Sequence, residues 1–219
     1  MEKTTTFISD SFEIQGRLFE GEQDRGVIIT HPHPLYGGNM QNNVVGAIDL
    51  ACQKIGFTTL KFNFRGVGGS QGNYDDGNGE QQDVRAAVAH LTDGGIRQIY
   101  LAGYSFGAWV NALAVKNGLA VDSMIMVSPP VAFIDFNSIS DLGPLGLVVT
   151  GSRDDIAPVA MVETSYPTWN PAAKFEVING ADHFYGGYEG NLEAVLTDFL
   201  LKKEAPRTNV CMKIAMQVI

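Results

Sequence analysis

The sequence predicts an α/β domain built on a mostly parallel central sheet with helices on both faces. Three observations predict it. Short apolar runs of strand length alternate with helix-length segments whose apolar residues recur every three or four positions. Most strand-like runs lack in-and-out alternation, as expected of parallel strands covered on both sides. The chain has 219 residues, 45% apolar and 18% charged, enough for one well-filled core without metal or disulfide staples.

The elements follow in order. Residues 4–18 alternate polar and apolar and read as an antiparallel hairpin at the sheet edge. Residues 27–30 form a short buried strand, and an amphipathic helix follows over 42–55. Residues 57–64 are rich in β-branched and aromatic side chains, hence a strand, and a Gly-rich loop runs over 65–78. A helix over 80–91 places Val84, Ala87, Val88 and Leu91 on one face. A strand at 99–102 leads to a helix at 106–115. Buried strands at 124–127, 145–150 and 174–178 follow, and a helix over 191–203 closes the domain with Leu192, Val195, Leu196 and Phe199 on one face. The tail at 204–219 is apolar after Pro206, and two placements stay open for it: across the sheet edge, or against another chain.

Charge narrows the partners. Lys plus Arg is 15 against 24 Asp plus Glu, a formal −9, which repels phosphate backbones and anionic lipids. No nucleic-acid partner is expected. No membrane span is expected either, because no run of eighteen apolar residues occurs. Cys52 and Cys211 stand alone and read as small hydrophobes, not as a disulfide or zinc site. Met1-Glu2-Lys3-Thr4 has no apolar signal core, so the expected compartment is the cytoplasm. The pattern specifies no oligomeric state.

Gly-x-Ser-x-Gly occurs twice, and context separates the two. Gly68-Gly69-Ser70-Gln71-Gly72 lies inside the Gly-rich segment with no helix behind it, and reads as a turn. Gly103-Tyr104-Ser105-Phe106-Gly107 is entered by a strand and left by a helix, the setting of a nucleophile elbow. Glycines permit the sharp turn that lifts Ser105 Oγ clear of the sheet, and the Phe106 N–H at the helix N-terminus can face a developing oxyanion. In that arrangement an acid and then a histidine follow the serine along the chain. Histidines stand at 31, 33, 90 and 183, and only His183 lies beyond the elbow, in Gly180-Ala181-Asp182-His183-Phe184. Asp154 and Asp155 directly follow the strand at 145–150, at the sheet end where ligands bind. Asp154 is the favoured acid. Asp155 is the alternative, unless it caps the segment starting near Ile156.

Other patterns carry less. Gln71 stands where a dinucleotide loop needs its third glycine, and no Gly-Lys-Ser/Thr follows. His31 and His33 have no adjoining acidic ligand, so no metal is expected. Asp75 and Asp76 read as loop residues, and Glu80 and Asp83 as favourable charges in the first turn of a helix.

The elbow, Gly151-Ser152-Arg153-Asp154-Asp155-Ile156-Ala157-Pro158 and Gly180-Ala181-Asp182-His183-Phe184 together resemble the three motifs of an α/β-hydrolase, over about residues 5–203. Asn63-Phe64-Arg65-Gly66-Val67-Gly68-Gly69-Ser70 is similar to a loop that many members carry after the fourth strand. Thr30-His31-Pro32-His33-Pro34-Leu35-Tyr36-Gly37-Gly38 resembles the small, lidless, dienelactone-hydrolase-like branch. The resemblance implies an α/β-hydrolase domain over 1–203, and its Gly-x-x-Asp-x-[Ile/Val]-x-Pro pattern points to Asp154. It further implies a second oxyanion donor in the loop after the 27–30 strand. Spacing selects His33, since Pro32 and Pro34 have no N–H, with Leu35 as the alternative.

Cap domains of this superfamily commonly enter after the strand that follows the elbow helix. Here only 17 residues separate Val127 from Leu145, too few for a helical lid. Tyr36, Phe133, Phe136 and Phe184 are the candidate apolar walls of an open cleft, with a place in the partial core the favoured alternative for each. The activity implied is that of a carboxylesterase-type serine hydrolase, with Ser105, His183 and Asp154 cleaving a small-molecule ester through an acyl-enzyme, without a cofactor. Amide, peptide or thioester hydrolysis, and a non-catalytic binding protein on the same fold, are the alternatives.

Overall fold

Strands and helices alternate along the chain as their residue patterns require. The computed structural model describes residues 1–204. β1 (Lys3–Ser9) and β2 (Phe12–Phe19) pair antiparallel as the expected hairpin. Then come β3 (Arg25–Thr30), α1 (Asn43–Lys54), β4 (Thr58–Phe62), α2 (Asn78–Asp93), β5 (Gln98–Tyr104), α3 (Phe106–Lys116) and β6 (Ser123–Val127). β7 (Leu145–Gly151), α4 (Val159–Trp169), β8 (Lys174–Ile178) and α5 (Glu189–Glu204) complete the order. The eight strands are arranged β1-β2-β4-β3-β5-β6-β7-β8. β3 to β8 run parallel to their neighbours, and the antiparallel hairpin joins at β4.

This is the α/β-hydrolase fold, with no cap domain among the described residues. Two apolar layers flank the sheet. One packs Val44, Ile48 and Ala51 of α1 with Leu192 and Leu196 of α5 against Val27, Ile29, Ala102 and Val149. The other packs Val84 and Ala87 of α2, Ala108 and Ala112 of α3 and Val162 of α4 against Ile28, Leu60, Leu101 and Met126. Period-two alternation along each central strand serves both layers at once, which is why these strands read as continuous apolar runs. Among the described residues no helix is long and apolar enough to cross a membrane.

The structure departs from the sequence expectation at several places. The strand expected over 57–64 is shorter, because the Phe64 N–H leaves the sheet ladder and donates to His31 Nε2 at 3.0 Å. α4 had no counterpart in the expectation. It buries only Val162 and Trp169 and carries Pro167 in its last turn, so its sequence has no helical stripe. β8 is mostly exposed instead of buried, because among the described residues it stands at the sheet edge with β7 as its one neighbour. Asp83 does not act as a helix-end charge. It is fully buried and pairs with the Arg65 guanidinium at 2.8 Å. Glu80 caps α2 by accepting from the Asp75 and Gly77 N–H groups. The tail expectation lies outside the described residues.

Candidate active site

The C-terminal ends of the parallel strands bring the motifs together. β5 ends at Tyr104 and α3 begins at Phe106, so Ser105 alone makes the turn, with φ 54° and ψ −118°. A non-glycine residue is strained at positive φ and stays there only because its surroundings fix it. The Ser105 N–H donates to the Val127 carbonyl at 2.9 Å, and the Ser105 carbonyl accepts from Ala108. The two flanking glycines are needed for close approach. A Cβ on Gly103 would stand 2.5 Å from the Ala108 nitrogen, and one on Gly107 would stand 2.6 Å from Thr30 Oγ1. Helix α3 therefore packs directly onto β5 and β3.

Ser105 Oγ lies 3.0 Å from His183 Nε2, and His183 Nδ1 lies 3.0 Å from both Asp154 oxygens. With Nδ1 facing a carboxylate, the ring proton belongs there, and Nε2 is the acceptor that faces the serine hydroxyl. All three residues are largely buried. Burial alone would push the Asp154 carboxyl up, but the hydrogen bond and charge of His183, the Ser128 hydroxyl and the Ala157 N–H outweigh it and hold the carboxyl below its usual value. Asp154 Oδ1 also accepts from the Ile156 and Ala157 N–H groups at 2.9 and 2.7 Å. The capping role considered for Asp155 thus belongs to Asp154, while Asp155 is exposed. Asp182 is exposed too, and it closes the His183 loop by accepting from the Phe184 and Tyr185 N–H groups.

Two backbone N–H groups remain open beside the serine. Phe106 is the first residue of α3 and has no intrahelical acceptor. The His33 N–H has no acceptor among the described residues. Leu35, the alternative donor, is not open: its N–H donates to His33 Nδ1 at 3.2 Å, because the His33 side chain caps the short 3-10 turn Pro34–Tyr36. Burial pushes the His33 imidazole below its ordinary value against the opposing charge of Asp76, which keeps Nδ1 free to accept. His31 is fully buried, with Nδ1 against the Pro32 carbonyl at 2.6 Å and Nε2 taken by Phe64. Neither histidine faces the other for a shared metal.

Ser105 and His183 open into a cleft of about 750 Å³, walled by Tyr36, Phe133, Ile134, Ile156 and Phe184. Tyr36, Phe133 and Phe184 are 88%, 75% and 65% exposed, so they are walls and not core. Phe136 differs: it is buried against Trp169, with ring centroids 5.0 Å apart. Ala132 is tied to the Ile156 carbonyl, and the Phe184 carbonyl accepts from Asn43 Nδ2, which fixes two of the three walls.

Sequence reasoning missed the residues behind these groups. Tyr104 Oη donates to the His183 carbonyl at 2.7 Å, and Ser128 Oγ and Tyr185 Oη bond at 2.8 Å beside Asp154. Tyr104 occupies a free position of the elbow motif and Tyr185 follows His183 by two, so proximity to the motifs was the one available signal. Ser70, in the other Gly-x-Ser-x-Gly, is buried in a turn. Its Oγ donates to the Asn63 carbonyl and accepts from the Gln15 N–H.

No protein-family model matches the chain. An uncharacterised protein of Rickettsia prowazekii (strain Madrid E) is 34% identical over 200 residues, covering 86% of this chain and 84% of that one. Among solved structures, an α/β serine hydrolase homologue from Coxiella burnetii is 33% identical with a TM-score of 0.85, over 90% of this chain and 97% of that one. An α/β serine hydrolase without a lid, from Xanthomonas campestris, is 27% identical with a TM-score of 0.85, over 92% and 94%. The chain belongs to the α/β serine hydrolases. Within them it is of the small lidless, dienelactone-hydrolase-like kind.

Proposed function

We propose that this chain is a carboxylesterase-type serine hydrolase acting on a small-molecule carboxylic ester. The observation that carries the reading is the unbroken hydrogen-bond line from Ser105 Oγ through His183 to Asp154, at 3.0 Å per step. Ser105 Oγ attacks the ester carbonyl as His183 Nε2 takes its proton, and Asp154 stabilises the imidazolium that forms. The Phe106 and His33 N–H groups receive the negative oxygen of the tetrahedral intermediate. His183 returns the proton to the departing alcohol, leaving an acyl-serine. A water then gives its proton to His183 and attacks the acyl carbon. The C–Oγ bond breaks, Ser105 recovers the proton, and the carboxylic acid leaves. Each step uses protein groups and water.

The test is labelling with a fluorophosphonate beside hydrolysis of p-nitrophenyl acetate. Label on Ser105, with activity lost in Ser105→Ala, is expected. Undiminished hydrolysis by Ser105→Ala, or label on another residue, would overturn the reading.

A further inference from the structure

The cleft beside Ser105 has a distinctive lining. Among the described residues its lining includes no Lys, Arg, Asp or Glu; besides His183 and His33, the polar side chains belong to Tyr36, Asn42, Tyr104 and Ser105. Next in sequence to Ile134, Ile156 and His183, the carboxylates of Asp135, Asp155 and Asp182 are exposed, and the charge of Asp76 is felt at His33 and that of Asp182 at Tyr104. The chain as a whole carries −9. A substrate bearing a carboxylate or phosphate would find no cation among the described residues that line the cleft, and would meet the negative charges of Asp76 and Asp182.

Three aromatic side chains from three separate segments meet at this cleft: Tyr36 after β3, Phe133 between β6 and β7, and Phe184 after β8. All three leave most of their surface in water, although the fold buries Phe57, Phe62, Phe64 and Phe106 almost completely. Exposed aromatic surface converging on a concave site of several hundred Å³ is the signature of a ligand surface. Two of the three aromatic walls, Phe133 and Phe184, are held by the Ala132–Ile156 and Asn43–Phe184 bonds, so they are formed before a ligand arrives.

We infer that the site selects uncharged esters carrying an aromatic group, whose ring packs among Tyr36, Phe133 and Phe184, and discriminates against esters bearing a carboxylate. This rests on the esterase reading above. The experiment compares kcat/KM, by proton release, for methyl 3-phenylpropanoate, methyl hexanoate and monomethyl glutarate. The expected order is phenylpropanoate, hexanoate, glutarate, with about tenfold or more between first and last. Replacing the walls together (Tyr36→Ala, Phe133→Ala, Phe184→Ala) should bring phenylpropanoate to within about twofold of hexanoate, chiefly through KM. Ile134→Lys should raise kcat/KM for the glutarate about tenfold. Glutarate hydrolysed as well as the phenyl ester, or an aromatic preference unchanged in the triple variant, overturns the inference while leaving the esterase reading intact. Hydrolysis of none of the three overturns both.

Discussion

Tyr104 Oη donates a 2.7 Å hydrogen bond to the main-chain carbonyl of His183, with the two rings 5.3 Å apart. The residue preceding Ser105 thus holds the loop that carries His183. Two motifs 79 positions apart become one rigid unit, and the Ser105–His183 distance is set by bonded structure instead of loop drift.

Tyr104→Phe should keep the ring packing and lose that bond, leaving a buried carbonyl unpaired at about 1–3 kcal/mol of stability. Turnover should fall about tenfold while KM changes little, because orientation at the serine is lost and the cleft is not. Denaturant unfolding and ester kinetics on the same preparation check both halves. Unchanged kcat with lowered stability would make Tyr104 purely structural.

The two Gly-x-Ser-x-Gly serines should separate cleanly. Ser105→Ala should retain the fold and lose at least ~10³ in turnover. Ser70→Ala removes a donor to the Asn63 carbonyl and an acceptor for the Gln15 N–H, so it should cost about 1–3 kcal/mol and keep the activity of the folded fraction. A folded but inactive Ser70→Ala would reverse the assignment.

What could be read from the sequence was local. The elbow was legible because an apolar strand, two glycines and a helix adjoin Ser105, and the last histidine was legible because it alone lies downstream. The hairpin declared itself by alternation. Residues whose role depends on distant partners did not. Asp83 looks like a helix-start charge until Arg65, 18 positions away, is folded onto it. Leu35 looks like an available donor until the His33 side chain turns back on its own loop, a matter of rotamer and not of spacing. α4 was hidden because its packing needs only Val162 and Trp169, too few to impose a period.

Asp154 both faces His183 Nδ1 and accepts from the Ile156 and Ala157 N–H groups, whereas its neighbour Asp155 is exposed. Replacing the triad aspartate by asparagine costs ~10⁴ in turnover in serine proteases, because the histidine tautomer is lost. Asp154→Asn should therefore lose at least ~10² here, with some loss of stability from the weakened bonds to Ile156 and Ala157. Asp155→Asn, at an exposed site, should change rates less than about tenfold. Steady-state kinetics on the pair decide it, and equal losses would mean that the two carboxylates share the role.

Acid should weaken the fold through His31 before it reaches the carboxylates. Burial pushes this imidazole down from 6.5 to about 4. Between those values the unfolded chain binds a proton that the folded chain refuses, so stability is lost as pH falls from about 6.5 to 4, by ~3 kcal/mol in all. Asp154, held below its ordinary 3.8, contributes stability that persists above that value and is lost only as pH falls further. Denaturant unfolding from pH 7.5 to 4.5 should show the first loss, reduced in His31→Asn. An NMR titration of the His31 ring in the unaltered chain checks the same point, and a ring that titrates near 6.5 would refute it.

The 17 residues 128–144 between β6 and β7 form turns without a helix, and Phe133 within them stands 75% exposed beside the open cleft. Where a cap covers a serine-hydrolase site, an oil–water interface activates the enzyme by opening that cap, and access is the gated step. This segment is instead pinned open: Ala132 bonds to Ile156, and Phe133 and Ile134 both donate to the Pro130 carbonyl. Rates on a short-chain ester should therefore follow simple saturation up to its solubility limit and continue without a jump beyond it. Triacetin or tripropionin, followed by proton release across the limit, provides the measurement. An abrupt rise at the emulsion boundary would mean that some part of the chain closes over Ser105 in solution, and the walls formed by Tyr36, Phe133 and Phe184 would then have to be a surface that such a closure covers.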